Sequence, residues 1–425
     1  MIKKVSLLLL LATLLASCGS IQTQNTTLWM GSGGDNLRRA NATGEILAPF
    51  GKVWAVEVTG LGIGSVAIAS VPNEMEKDNL IGVYRLIYTT GLDGSVSAYE
   101  FDFGMKIWEQ HLTATNGNIL YTNGKIITPC VDGYWYALDA WNGKVVWKTQ
   151  FSKEPTKYSE NSTPAVSGNI VYCVSSNNII LALDVNEGKE VWKAEVKDSI
   201  QASPVLVDDI LIVSTYEPSV KAYNKNNGKL LWETPTSYPV TSALISNGKL
   251  VFAPEAFGVI AAFNVTNGKE LWKTDIGGTI PKGSCLWKSM LIVPNGKGEI
   301  VALDQVTGKL EFTIKIPDPT SAVVASGDIV CLTTKDGKVT AIDMNKKYSF
   351  EAFSFEKMVT VRIPNVGDPA ILAGRLIISD GVSKLYMLLP KELAPKEKQE
   401  IIPEEKPAPI TPPTEIPLPV KPKDL

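Results

Sequence analysis

Ala137-Leu138-Asp139-Ala140-Trp141-Asn142-Gly143-Lys144-Val145-Val146-Trp147 is one statement of a phrase that the chain makes six times between residues 98 and 312. The other copies carry Ala98, Gly104 and Trp108; Ala182, Gly188 and Trp192; Ala222, Gly228 and Trp232; Ala262, Gly268 and Trp272; and Ala302, Gly308 and Phe312. In every copy the Gly stands six residues after the Ala and the aromatic ten after it. Successive Ala anchors are 39, 45, 40, 40 and 40 residues apart, a period shared by propeller blades and helical solenoids. Apolar alternation and β-branched runs select strands over helices.

The phrase is a hairpin. Gly supplies a positive φ, and the Asp or Asn four residues after the column at Val96, Trp135, Ile180, Val220, Ile260 and Ile300 caps its own turn, with Glu100 at that place in the first copy. Each copy is therefore a third strand, a turn and a fourth strand carrying the aromatic. That column is apolar throughout, as is the next one at Tyr99, Leu138, Leu183, Tyr223, Phe263 and Leu303. Sheets apolar on both faces are expected when blades pack face to face in a ring. The small Ala allows close approach, and the Trp at a fixed register fills the wedge between neighbours.

The phrase Ala-x-Asp-x-x-x-Gly-Lys-x-x-Trp resembles the pyrroloquinoline-quinone-type propeller repeat. That repeat is shared by quinoprotein dehydrogenases, by BamB-type lipoproteins of the outer-membrane β-barrel assembly machinery, and by other secreted propellers. The resemblance covers most of the chain after its first segment and implies a propeller; it does not by itself imply a bound quinone.

Taken in order, the chain opens with Lys3 and Lys4, an apolar run over residues 5–15, and Leu15-Ala16-Ser17-Cys18-Gly19. This reads as a lipoprotein signal peptide, residues 1–17, with Cys18 as the lipidation site; an ordinary secretory signal with an incidental Cys is the plainer alternative. Residues 18–28 read as a lipidated tether, and Trp29 with Gly31, Gly33, Gly34, Asp35, Arg38 and Arg39 as a structural clasp. Trp54 lies in an apolar strand that looks like the fourth strand of a blade lacking the other three. Residues 370–372, 376–379 and 384–389 look like three strands lacking a fourth. Joining them closes a ring and removes its open edges. The Ala column, continued through Ala341 and Met387, gives eight copies. The expected fold is all-β: an eight-bladed β-propeller of four-stranded antiparallel blades over residues 29–390, closed by the N-terminal strand joining the C-terminal blade. Residues 391–425, rich in Pro, Lys and Glu, cannot bury a core and read as a disordered tail.

Composition narrows the chemistry. A net charge of -3 with no basic run excludes nucleic acid as the expected partner. Beyond Cys18, the cysteines Cys130, Cys173, Cys285 and Cys331 fall in separate repeats, which favours buried thiols over bridges. No zinc spacing occurs, and His111, the one histidine, reads as a surface strand residue, so no metal site and no catalytic residue is assigned. A quinone enzyme is the catalytic alternative. The resemblance associates such enzymes with a disulfide between adjacent cysteines and a calcium held by Glu, Asn and Asp beside a catalytic Asp. This chain has no Cys-Cys pair, and no cofactor is expected.

What remains is binding. In a four-stranded blade, the loops between second and third strands share one rim with the connections between blades. Tyr134, Tyr216 and Phe257 fall in the former, Tyr158 and Tyr238 in the latter. Such rings are anchors for a partner surface, or lie flat on neighbouring strands. Similarity to the BamB-type lipoproteins implies a non-catalytic scaffold that assists insertion of β-barrel proteins at the outer membrane, lipid-anchored and facing the periplasm. It would act as a monomer within a complex; in a cell without an outer membrane it would be a surface lipoprotein. An envelope propeller that binds glycan or peptide is the alternative. Where BamB-type chains carry Arg-Gly-x-Ser-x-Pro and Asp-x-Asp-x-x-Pro at blade starts, this chain has Glu160-Asn161-Ser162-Thr163-Pro164 and Gln201-Ala202-Ser203-Pro204.

Overall fold

The computed structural model describes residues 27–394, apart from 32, 43–44, 59–65, 73–82, 92, 116–117, 154–161, 176, 201, 281–282, 320, 356–367 and 381–382. The signal segment, Cys18, most of the tether, Tyr158 and the tail from 395 lie outside the described residues.

Eight sheets form an eight-bladed propeller of antiparallel blades. Short first strands, such as Leu120–Thr122 and Val205–Val207, lie innermost, where neighbouring blades contact one another through them. The outermost strands, such as Val145–Gln150, bury their Trp and expose its neighbours. The ring closes as the sequence implies. Phe50–Glu57 pairs antiparallel with Lys384–Pro390, which pairs in turn with Arg375–Ser379 and then Ala370–Leu372.

Register confirms the repeat. Ala98 faces Trp108 across the third and fourth strands, Ala137 faces Trp147, and Met387 faces Trp54 at the closing joint. Two blades depart from four strands. Thr27–Trp29 adds a fifth, antiparallel strand inside the first blade, so the expected tether gives way to structure at residue 27. Asn41–Ala42 adds a parallel one inside the seventh.

The Gly of the phrase has two roles. Its φ is positive in every copy, +68° at Gly188 for instance. It also receives the Trp of the preceding blade: a Cβ on Gly143, Gly188, Gly228 or Gly268 would lie 2.5 Å from Trp108, Trp147, Trp192 or Trp232. Gly104 faces Trp54 and Gly308 faces Trp272 in the same way. Each indole Nε1–H then donates to a backbone carbonyl of the next blade, as from Trp54 to Phe101 (3.1 Å), Trp108 to Ala140 (3.0 Å), Trp147 to Val185 (2.8 Å), Trp192 to Lys225 (2.8 Å), Trp232 to Val265 (2.9 Å) and Trp272 to Gln305 (3.0 Å). Where the preceding aromatic is Phe312, the Gly position holds Lys347, which keeps a left-handed φ of 55° and places its ammonium 4.7 Å from the Phe312 centroid. The turn acids do what the sequence implies: Asp139 and Asp184 accept N–H bonds from the residues two and three further on.

Candidate functional site

The rim formed by the between-blade connections carries an aromatic cluster in its fourth and fifth blades. Phe257 is 66% exposed, Tyr216 63% and Tyr238 40%. Phe257 and Tyr238 meet edge to face, with centroids 4.9 Å apart and planes at 75°. The loop holding Phe257 is tightly specified. Phe257 adopts φ 62° and ψ 18°, a left-handed conformation that costs a bulky residue about 1–2 kcal/mol. Gly258 follows at φ 80°, against Gly277 of the next connection, so close that a Cβ would meet the Gly277 oxygen at 2.4 Å. Glu255, fully buried, accepts the Tyr238 N–H at 2.9 Å and so fixes the second ring. Burial pushes the Glu255 carboxyl above its ordinary range, against the pull of the Tyr238 N–H and of Lys273. A strained backbone and a buried carboxylate thus hold two apolar rings out in solvent.

The other rim residue of the described chain is set differently. Tyr134 is half-buried, with the Lys148 ammonium 4.8 Å from its centroid and Tyr136 at 6.4 Å. Tyr216 stands on the loop of the fourth blade, beside the connection that carries Tyr238. His111 is an exposed outer-strand residue bonded to Glu109 at 3.1 Å. Cys130, Cys173, Cys285 and Cys331 are buried free thiols.

At the axis lies what sequence reasoning missed. The clasp does not stay at the first blade; it winds around the centre of the ring. Tyr121 N–H donates to Met30 O, Val166 N–H to Asn36 Oδ1, and Leu206 N–H to Asn36 O. Ser246 N–H donates to Leu37 O, Leu286 N–H to Arg39 O and Ala325 N–H to Ala40 O. These six donors come from the innermost strands of six consecutive blades. Arg38 is 4% exposed, and its guanidinium donates to Thr163 O (2.6 Å), Pro164 O (2.9 Å) and Pro204 O (3.3 Å). Burial lowers Arg38 to about 10, with Asp35 pulling the other way, so it is charged at neutral pH. The two Ser-x-Pro and Ser-Pro blade starts noted in the sequence are thus engaged by Arg38. Only its place after the Gly33-Gly34-Asp35 turn distinguishes it from Arg39, whose side chain pairs with Asp35 at the surface.

Among the described residues no group of three or more His, Cys, Asp or Glu could hold a metal ion. The cysteines are dispersed through the ring, where a vicinal disulfide would need two in sequence.

Comparison with known proteins agrees with this architecture. The profile of a family described as outer membrane protein assembly factor BamB matches residues 82–202, 176–279 and 256–392. The outer membrane protein assembly factor BamB of Escherichia coli (strain K12) is 27% identical over 140 residues, 30% of this chain and 34% of that protein. The protein of the same description from Moranella endobia (strain PCIT) is 29% identical over 134 residues, 28% of this chain and 33% of that one. The chain thus matches no more than 34% of the length of either curated relative. Among solved structures, BamB from Moraxella catarrhalis superposes with a TM-score of 0.61 at 16% identity, over 82% of this chain and 99% of that one. Quinohemoprotein alcohol dehydrogenase from Comamonas testosteroni gives 0.68 at 15% identity, over 89% and 83%. At such identities these likenesses are of fold alone.

Proposed function

Because the chain belongs to the family described as outer membrane protein assembly factor BamB, we propose that it is a non-catalytic scaffold that docks a protein of the barrel-assembly machinery and assists insertion of β-barrel proteins. In this reading a lipid on Cys18 holds it at the outer membrane, facing the periplasm, as a monomer within a larger complex. The observation that carries the proposal is the Tyr238–Phe257 pair, with Tyr216 exposed on the loop of the preceding blade. Burying one such ring in a partner contributes about 1.5–3 kcal/mol. A loop already fixed by Glu255, Gly258 and its own strained backbone loses little entropy on binding, so more of that energy appears as affinity.

The test is capture of the full, lipidated chain from detergent-solubilised envelope, with retained proteins identified by mass spectrometry. Recovery of a large barrel protein bearing periplasmic repeats, reduced about tenfold or more by Phe257→Ala and Tyr238→Ala, supports the docking role. An intact, abundant chain that retains no such protein defeats it, as does a complex indifferent to these rings.

A further inference from the structure

Six backbone N–H groups, one from each of six consecutive blades, point at the axis, and every one is satisfied by residues 30–40. Among the described residues, no other single segment supplies hydrogen-bond acceptors to the innermost strands of so many blades. The sequence of this segment is built for the place. Gly31 passes so near the innermost strand of the second blade that a Cβ would lie 2.2 Å from Ile119 O. Gly33 and Gly34, both at φ 78°, turn the chain into the channel, and Met30 N–H closes that turn on Gly34 O at 2.9 Å. Asp35 Oδ1 then accepts from Leu37 N–H at 3.0 Å and Arg39 N–H at 3.2 Å, holding the next turn. Arg38 and Ala40 take left-handed φ values of 57° and 46°, which aim successive carbonyls at successive blades.

We propose that the axis of this propeller is a peptide-binding site, that its ligand is the chain's own residues 29–42, and that Arg38 is the positioning residue that seats it. The site offers N–H donors around a circle and strand-start carbonyls at Thr163, Pro164 and Pro204. Its ligand must therefore supply oxygen acceptors along a curved, repeatedly turned backbone and one multivalent cationic donor. Arginine meets the second need because its planar guanidinium donates in several directions at once, whereas lysine presents a point charge. The ligand is continuous with the closing strand Phe50–Glu57, so seating the segment also fixes the strand that completes the ring. Withdrawal would trade these inner-strand hydrogen bonds, and those of Arg38, for bonds to water in a narrow channel, so their net worth favours the seated state. The segment is accordingly a bolt that ties the innermost strands together. This inference does not depend on the docking reading, and its test does not use a partner.

The test is a full-length chain carrying a specific protease site at residues 43–44, cut after folding. The N-terminal fragment is expected to co-elute with the ring in native buffer and to separate only in denaturant. Amide exchange at Tyr121, Leu206, Ser246, Leu286 and Ala325 stays slow for as long as the fragment is bound. Arg38→Ala should speed release of the fragment about 100-fold, since it removes several charge-assisted hydrogen bonds. Arg38→Lys should restore little. In uncut chain, Arg38→Ala should raise exchange at those five amides while the outer Trp-bearing strands stay protected. Prompt loss of the wild-type fragment from a ring that remains folded overturns the proposal. So does equal retention of the Arg38→Ala fragment. If the variant does not fold, retention and exchange in the cut wild-type chain decide the matter alone.

Discussion

Gly188→Ala should break the contact between the second and third blades, and the structure says by how much. Two costs add. The first is conformational: Gly188 has φ +68°, where an alanine costs about 1–2 kcal/mol, partly offset by about 0.4–1 kcal/mol from the lower entropy of the unfolded chain. The second is steric. The new Cβ would lie 2.5, 2.7 and 2.8 Å from three atoms of the Trp147 indole, all inside contact distance. The ring cannot retreat freely, because its Nε1–H is bonded to Val185 O at 2.8 Å in the same blade as Gly188. Overpacking of this kind costs about 1–3 kcal/mol, for a total of about 1–4.6 kcal/mol. Gly168→Ala supplies the control: Gly168 is also left-handed, at φ +58°, but nothing lies within 4 Å of its Cβ position. It should lose no more than about 1.6 kcal/mol. Equilibrium urea unfolding, compared at unchanged m, measures both. A third variant identifies the cause: with Trp147→Leu in place, adding Gly188→Ala should cost no more than the Gly168 control. Equal losses at Gly188 and Gly168, or an undiminished loss in the leucine background, would refute the wedge argument.

Three further outcomes are expected. Arg375→Ala removes the 2.5 Å ion pair to Asp102 across the ring joint and one of two guanidinium groups over the Phe101 ring; it should cost about 1 kcal/mol at low salt and less in 1 M salt, with a loss indifferent to salt counting against it. Glu255 is raised chiefly by burial, so the folded state holds its proton more tightly than the unfolded one; its contribution is full below the unfolded value, about 4.3, and falls as pH rises through the folded value. Glu255→Gln should therefore match wild type near the acid end and exceed it in stability at neutral pH, and a gap that does not change with pH would contradict this. Burial pushes the Cys130 thiol up to about 12 and raises those of Cys173, Cys285 and Cys331 as well, so all four should resist an aromatic disulfide reagent in the native state and react on unfolding; rapid native labelling would show that these strands open.

Repetition made the blades legible. Six copies of one phrase, with their column continued through Ala341 and Met387, gave the strand order, the turn chemistry, the count of eight and the partnership of Trp54 with the C-terminal strands, because hairpins form from neighbours in sequence and the same local rules acted each time. The same comparison could assign positive φ to Gly188, but not its second role. Which blade's Trp147 rests on it depends on how adjacent sheets pack, and one copy carries no record of the other. At Phe312 and Lys347 the two positions change together across a blade boundary, a coupling visible only once they face each other. The rim shows the same division. Phe257 could be named as a loop aromatic, but its left-handed backbone, its edge-on contact with Tyr238 and the buried Glu255 beneath them come from three chain segments converging. Residues 29–42 are the extreme case. Their glycines, Asp35 and arginines read as a clasp, while the acceptors of Arg38 lie 125 to 166 residues away in sequence. The sequence determined the local geometry of each blade; closing the ring decided what met across blades and along the axis, because those contacts exist only after non-neighbouring strands share one centre.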